Sequence, residues 1–359
     1  MSRRVFEYLI SLSAILLLSV TTSQAQTLSQ CRPSPPLPPH PKPGVNDVTF
    51  SKDGKTLVVA GGDGVIRLLD GASGLEQRTF LGHTNTVYIT VFSPDEKLLA
   101  SSSRDLTARV WDVASGRELH KFTGFRCSVK TVAFSPDGRT IAASGNDGMV
   151  KIWDLKSEKE LHSLVHINSA DVDMSVYSIA FDRTGKKIYG ANGDGTISEW
   201  DIAKQKETKV WKAHDGNAYQ IRFNSDYSLL ASSGFNDGFV KLWDASNWHE
   251  VRKMSFVHAE AAVNIATAGL DFSHDGKMIA AGSNGFDEKQ TRYVYVQATV
   301  WNAETGEKLW TIEGQKFDIN GVTFTRDDKF LLTGSVDTTI KFWDMKTGVS
   351  TRTVAMPIP

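Results

Sequence analysis

The sequence has no surplus of either charge: 40 basic residues face 41 acidic ones, a net charge of −1 over 359 residues. That balance excludes a general attraction to nucleic acid or anionic membrane and leaves room only for local patches. Cysteine is nearly missing, with Cys31 and Cys127 the only two, and neither has the neighbours that activate a nucleophilic thiol. In an oxidising compartment the two could pair and staple the tail to the body. The preferred reading leaves them as separate thiols, one in the exposed tail and one in a loop. No segment keeps a sustained 3.6-residue apolar period, so helices are not expected. The Gly-x-Ser-x-Gly elbow, the phosphate-cradling glycine loop and the paired ligands of a metal site are all missing.

The apolar run from Leu9 to Val20 falls short of the roughly 20 residues a membrane helix needs. Arg3 and Arg4 precede it, and Ser23-Gln24-Ala25 supplies small residues where a signal peptidase cuts. Residues 1–25 therefore read as a cleaved export signal, which predicts a periplasmic or secreted protein with no stable membrane insertion after cleavage. Ser2-Arg3-Arg4-Val5-Phe6 also resembles a twin-arginine opening, although Glu7 fits it poorly, so the export route stays open. Leu28-Ser29-Gln30-Cys31 is rejected as a lipoprotein box because Gln30 is too large at the cut. Residues 26–43 form a linker. Seven of the eleven prolines fall within 31–43, a composition that favours extended tether over sheet.

What fills residues 44–356 is one recurring pattern. Aligned on Phe50, Phe92, Phe134, Phe181, Phe223, Phe272 and Phe324, successive units start 42, 42, 47, 42, 49 and 52 residues apart. In the second unit Val87–Phe92, Lys97–Ser102, Thr107–Trp111 and Glu118–Phe122 are short runs rich in β-branched or aromatic residues, separated by turn residues such as Ser93-Pro94-Asp95. Four strands per period of about 40 to 45 residues mark a propeller blade. A lone four-stranded sheet leaves its edges open, whereas seven packed radially bury both faces of each. The expected fold is all-β: a seven-bladed β-propeller of four-stranded antiparallel blades, with no room for a second domain.

The run Leu81-Gly82-His83, Val87, Phe92-Ser93-Pro94-Asp95, Asp105 and Trp111-Asp112 resembles a WD40 repeat. Trp-Asp recurs at Trp153-Asp154, Trp200-Asp201, Trp243-Asp244 and Trp343-Asp344, with Leu69-Asp70 and Trp301-Asn302 in the two remaining units. The resemblance covers all seven units and suggests an exported, bacterial-type member of the WD40-repeat propeller family. It implies a buried network of His, Ser or Thr, Asp and Trp within a blade. By position this is His83, Ser101, Asp105 and Trp111 in unit two, and His214, Ser233, Asp237 and Trp243 in unit five. Unit seven has Thr333, Asp337 and Trp343 with Gln315 in place of His. Unit three, with Phe125 and Ala143, lacks the network. Units two and five are expected to be the most rigid. His166, His258 and His274 are read as lying outside the histidine slot.

Asp63, Asp105, Asp147, Asp194, Asp237 and Asp337 share one repeated position. Their periodicity spreads them over separate blades, so they read as turn formers and not as a metal or acid–base cluster. Asp-Gly at Asp53, Asp137 and Asp275 reads as hairpin turns. No metal site, cofactor or catalytic residue is assigned.

With the four strands of each unit lettered a to d in chain order, strands alternate direction, so the d–a and b–c loops share one face. The longer departures from the period, Val165 to Ser175, His258 to Ala266 and Asn284 to Ala298, all belong to that face, and insertions concentrated on one face suggest use. Two slots per blade point toward its mouth. The first holds Asn46, Tyr88, Lys130, Tyr177, Tyr219, Ala268 and Asn320. The second holds Gly62, Arg104, Asn146, Gly193, Asn236, Phe286 and Val336. Tyrosine and arginine are common interface anchors, so Tyr88, Arg104, Lys130, Asn146, Tyr177, Tyr219 and Asn236 are the candidate partner-binding residues. Arg126 beside Lys130 would make that sector positive. The alternative is that the tyrosines merely pack between blades. Tyr293, Tyr295 and Gln297 alternate with Val294, Val296 and Ala298, which suggests a strand rising above the face whose edge could pair with a partner.

These readings favour a non-catalytic scaffold in the cell envelope, a monomer on its own, binding a protein or peptide and no nucleic acid. Two alternatives stay open: a lactonase-like or quinone-dependent enzyme on a propeller, and a structural subunit of an envelope complex. Trp211, Trp248 and Trp310 fall outside the blade slot, on outer strands.

Overall fold

The computed structural model describes residues 44–166, 173–256, 264–287 and 292–356. The export signal, the proline-rich linker with Cys31, and His258 lie outside the described residues. Among the described residues 28 strands form seven four-stranded antiparallel sheets, each made of four strands consecutive in the chain, and there is no helix. Blade one comprises β1 (Val45–Phe50), β2 (Thr56–Gly61), β3 (Ile66–Asp70) and β4 (Glu76–Phe80). The same order repeats to β28 (Ser350–Ala355). The hairpin turns follow side-chain chemistry. Asp53, Asp137 and Asp275 each accept a bond from the amide two residues on, at 3.0, 3.1 and 2.9 Å. The glycines after them sit at φ +70, +69 and +72, which a Cβ would strain.

No blade has a core of its own. Seven apolar clusters occur, and each takes side chains from two neighbouring blades. Between blades one and two, for example, Phe80 stands edge-on to Trp111 with ring centroids 6.0 Å apart, over buried Ile66, Val87 and Leu99. The strands explain this directly. In β2 and its counterparts five consecutive residues are buried, because the sheet is covered on both faces. The first strand of each blade touches the first strands of its two neighbours, so these strands line the axis, and the fourth strands face outward.

The sequence leaves open which strand closes the ring. Val349 to Ala355 could be read as the seventh blade's own outer strand, and β28 occupies that place in one sheet with β25 (Ile319–Phe324), β26 (Phe330–Ser335) and β27 (Thr339–Asp344). Among the described residues the ring therefore closes by packing between complete blades, with no shared sheet. Val45, Val48 and Leu57 meet Leu332, Ile340 and Phe342 at the seam. Arg326 donates to the Lys52 carbonyl at 2.6 Å, and Arg352 donates to the Ala72 and Gly71 carbonyls across the same seam. Gly44 lies so close that an added Cβ would come 2.2 Å from the Val336 Cα. Gly44→Ala should therefore force the seam apart and lower stability by about 1–3 kcal/mol, measured as the urea midpoint; an unchanged midpoint would mean that the seam yields freely.

Candidate functional site

In blade two the four network residues form one chain of hydrogen bonds. Trp111 Nε1 donates to Ser101 Oγ at 2.9 Å, the serine hydroxyl meets His83 Nε2 at 2.7 Å, and His83 Nδ1 meets Asp105 Oδ2 at 2.7 Å. Burial pushes the His83 imidazole below its ordinary pKa. Burial alone would raise Asp105, but its bonds to His83 and Thr107 outweigh that and hold the carboxyl well below the usual range. A neutral ring thus donates to an ionised carboxylate, and every polar atom of the chain is satisfied.

Blade five has the same chain with one correction. His214 and Trp243 bond Ser232 Oγ, at 2.8 and 2.9 Å, while Ser233 Oγ is buried without a partner. Counting back from Asp237 crosses one extra residue in the turn and lands on Ser233; counting 18 on from the histidine, as from His83 to Ser101, lands on Ser232. In blade seven Trp343 bonds Thr333 Oγ1 at 2.8 Å, but Gln315 turns to Thr333 and Thr339 and never reaches Asp337. In blade three Phe125 fills the histidine place against Trp153 at 5.8 Å.

His166 overturns a second reading: it occupies the histidine slot of blade four. It precedes Asp194 by 28 positions in the sequence instead of the 22 between His83 and Asp105, so counting by the regular period misses it. Nε2 donates to Asp194 at 3.1 Å and Nδ1 donates to Glu207 at 3.0 Å. The reason is a missing cation. In blade two Arg109 sits between Asp105 and Glu118, and in blade one Arg67 sits between Asp63 and Glu76. Blade four has Ser198 at that place and Gly190 at the network serine, so the ring reaches both carboxylates, with the Ser198 hydroxyl 3.1 Å from Nδ1. Burial would lower its pKa, but the two carboxylates outweigh burial and raise it to about 9. His166 is therefore a buried cation at neutral pH. His274 lies elsewhere, 3.3 Å from Asp328.

Each of the six repeated aspartates accepts a bond from the amide two residues on, between 2.9 and 3.2 Å. They act as turn formers.

The mouth is built by a ring of β-bulges. Between strands one and two of each blade the register skips one residue of the inner strand. That residue is Asn46, Tyr88, Lys130, Tyr177, Tyr219 and Asn320 in six blades, the residues expected for the first slot. Blade six differs. Ala268 pairs in register with Gly282 and the skipped residue is Gly269, at φ +70, a conformation alanine strongly disfavours. A bulge re-aims its side chain, so six side chains turn toward the axis and blade six leaves a gap. In five blades the amide of the second-slot residue (Gly62, Arg104, Asn146, Gly193, Val336) donates to the carbonyl two residues before the first slot, which places the two slots side by side. Val336 and Gly193 are buried, Arg104 and Asn236 are exposed, and the Phe286 side chain lies outside the described residues.

The ring is chemically uneven. Asn46 donates to the Val87 carbonyl at 2.9 Å and lies 3.5 Å from Asn320. Lys130 Nζ sits 3.9 Å above the Tyr88 ring, a cation–π contact, with exposed Arg104 and Arg126 in the same sector. Tyr177 and Tyr219 rings lie tilted with centroids 5.2 Å apart, and Phe235, which the slot pattern missed, extends the aromatic row at 5.7 Å. Tyr177 donates to Asp173 at 2.6 Å. Burial raises the phenols of Tyr177, which the Asp173 charge raises further, and of Tyr219, the latter to about 12. Both stay neutral donors. The tyrosines thus do pack between blades, yet only half-buried.

Above blade six, β22 (Met278–Asp287) and β23 (Arg292–Asn302) overshoot the other hairpins. β24 (Lys308–Glu313) pairs with β23 no further than Gln297, so among the described residues no strand covers the outer edge of Arg292–Val296. Gln297 is buried, and the Tyr295 ring lies across Gly285. Trp211 and Trp310 lie on outer strands, but Trp248 lies in a turn, stacked on Trp211 at 5.1 Å. Cys127 is buried and disulfide-bonded, which corrects the reading of a free loop thiol.

A family model described as "WD domain, G-beta repeat" matches residues 31–70, 74–112, 116–154, 159–201, 205–244 and 306–344. Among curated proteins, Protein tipD of Dictyostelium discoideum is 30% identical over 146 residues, 41% of this chain and 21% of that protein. The Target of rapamycin complex subunit wat1 of Schizosaccharomyces pombe is 31% identical over 118 residues, 33% of this chain and 32% of that one. COMPASS component SWD3 of Saccharomyces cerevisiae is 26% identical over 148 residues, 39% and 42% of the two chains. This chain thus spans less than half the length of each.

Two variants test the networks. Ser232→Ala should cost about 1–3 kcal/mol by orphaning His214 and Trp243, while Ser233→Ala should be close to neutral; equal losses in urea titration would refute the assignment. For His166, a folded pKa near 9 against an ordinary 6.5 means stabilisation that is full below the ordinary value and lost as pH rises through the folded one. The stability gap between wild type and His166→Gln should shrink by on the order of 2 kcal/mol between about pH 6 and pH 10. A pH-independent gap would show that the ring is neutral.

Proposed function

The chain belongs to the WD40-repeat family, and from that premise we propose that it is a non-catalytic scaffold of the cell envelope that binds a protein or peptide partner on its bulge-lined face. The observation that carries the reading is the ring of re-aimed side chains. A regular strand would bury or splay them, whereas the bulge presents Tyr88, Lys130, Tyr177, Tyr219 and the two asparagines at one mouth. Rigid aromatic rings with cationic neighbours suit recognition of another chain. The extended hairpin of blade six belongs to the same face. Two of the relatives are named as subunits or components of complexes, which fits a binding platform.

Export is supported by Arg3, Arg4, the apolar run and Ser23-Gln24-Ala25, and by the disulfide at Cys127, since such bonds persist in oxidising compartments. The mature protein would begin after Ala25 and reach a periplasmic or extracellular space. Propeller enzymes of the lactonase-like or quinone-dependent kind work through axial metal ligands or a tryptophan-lined cofactor site. Here the repeated acids are committed to turns, and the tryptophans to blade packing.

The secreted form should capture a partner that a Tyr88→Ala, Lys130→Ala, Tyr219→Ala variant loses by at least about tenfold, with its melting temperature close to wild type. Undiminished capture by the folded variant would remove the mouth from the interface.

A further inference from the structure

A strained and exposed leucine points to the chemistry of the partner. The residue after each repeated turn aspartate takes the left-handed backbone. In four blades it is glycine: Gly64, Gly148, Gly195 and Gly238, with φ between +72 and +83. Blade seven has Thr338 there, and blade two has Leu106 at φ +69. Leucine in this conformation carries a backbone strain that glycine would not. Burial does not offset the cost, because Leu106 is 40% exposed. Leu81, in the connection that enters the same blade, is 68% exposed. The other large exposed apolar side chains among the described residues lie on c–d turns and outer strands.

The two leucines flank one buried clasp. His83 bonds Asp105 at 2.7 Å, and the Thr84 amide donates to the same carboxylate at 3.1 Å, so Leu81 and Leu106 are held on either side of it. Two cations without an acidic partner among the described residues belong to this blade and to its seam with the next. Arg104 is exposed, one residue before Asp105, and Lys130 rests its ammonium on the Tyr88 ring. Asp105, the acid at hand, is already engaged by His83, Thr107 and Arg109.

We propose that this sector binds an extended peptide segment in which a large apolar side chain is flanked by carboxylates. Leu106 and Leu81 receive the apolar side chain, and Arg104 and Lys130 receive the carboxylates. The proposal rests on the reading of this face as the partner site and names the class of segment that enters it. The strain at Leu106 is tolerated because the side chain is needed outside, where it contributes nothing to the core. The apolar contact supplies affinity, and the two cations set register and speed encounter.

The probe is a phage-displayed library of random dodecapeptides, selected on the immobilised secreted protein. Wild type should enrich sequences with Asp or Glu beside Leu, Ile, Phe or Met. Selection on Leu106→Gly should keep the acidic preference and lose the apolar one. A synthetic peptide of the wild-type consensus should bind that variant about tenfold more weakly. The melting temperature of Leu106→Gly should stay level or rise, because glycine suits the backbone, so lost binding cannot be assigned to unfolding. Selection on Lys130→Ala should do the reverse, keeping apolar residues and losing acids. The wild-type consensus returned by Leu106→Gly, or basic peptides enriched on wild type, overturns the proposal. If Tyr219→Ala still abolishes peptide binding in that case, the face stands and only the assigned chemistry falls. Peptides indifferent to all three variants, or no enrichment over the bare support, overturn both.

Discussion

Apolar contact between neighbouring sheets is what everything else in this molecule depends on. Each sheet is narrow and buries five consecutive residues of its second strand, which requires a neighbour on both sides. Seven clusters shared between blades meet that need, and none belongs to one blade alone. The last seam is closed by the same packing, with Val45 and Val48 against Leu332 and Ile340, since the first and last blades share no strand. Stability is therefore a property of the complete ring.

Within that frame each blade must settle its buried polar groups, and the blades do so differently. Blades one and two hold an arginine between two carboxylates, and blade two adds the neutral histidine chain to its tryptophan. Blade four has neither the arginine nor the serine, and its histidine takes over as the cation. Blade three dispenses with polar atoms at the slot and packs Phe125 on Trp153. The common requirement is that no charge be buried unpaired, and different residues can meet it.

The mouth follows from a local irregularity superimposed on this regular body. In six inner strands the skipped residue is re-aimed to the mouth, where it meets its counterpart or the backbone of a neighbouring blade. Because the skip occurs near the same height in each blade, six side chains, tyrosine, asparagine and lysine, share one rim. Blade six breaks the sequence with Gly269, beneath the tall hairpin, so the rim has an orientation and its sectors are polar, cationic and aromatic in turn. Leu106 belongs to this same economy of exceptions: the backbone demands glycine, and the sequence supplies a side chain instead.

Blade number, strand type and strand order were legible in the sequence because they rest on local periodicity: turn aspartates, Trp-Asp pairs and alternating β-branched residues recur within a few positions of one another. The first-slot residues were legible in six blades for the same reason. Where an insertion or an extra turn residue intervened, counting failed. Ser233 stood in for Ser232, His166 was placed outside its slot, and Ala268 was taken for the bulge that Gly269 forms. Leu106 could have been noticed as the one Asp-Leu among Asp-Gly turns, but nothing local says that it remains exposed. The disulfide at Cys127, the seam between the first and last blades and the Tyr177–Tyr219 contact between blades four and five rest on residues far apart in the chain. Only the tertiary structure decided them, because such contacts depend on how complete sheets pack and leave no period in the chain.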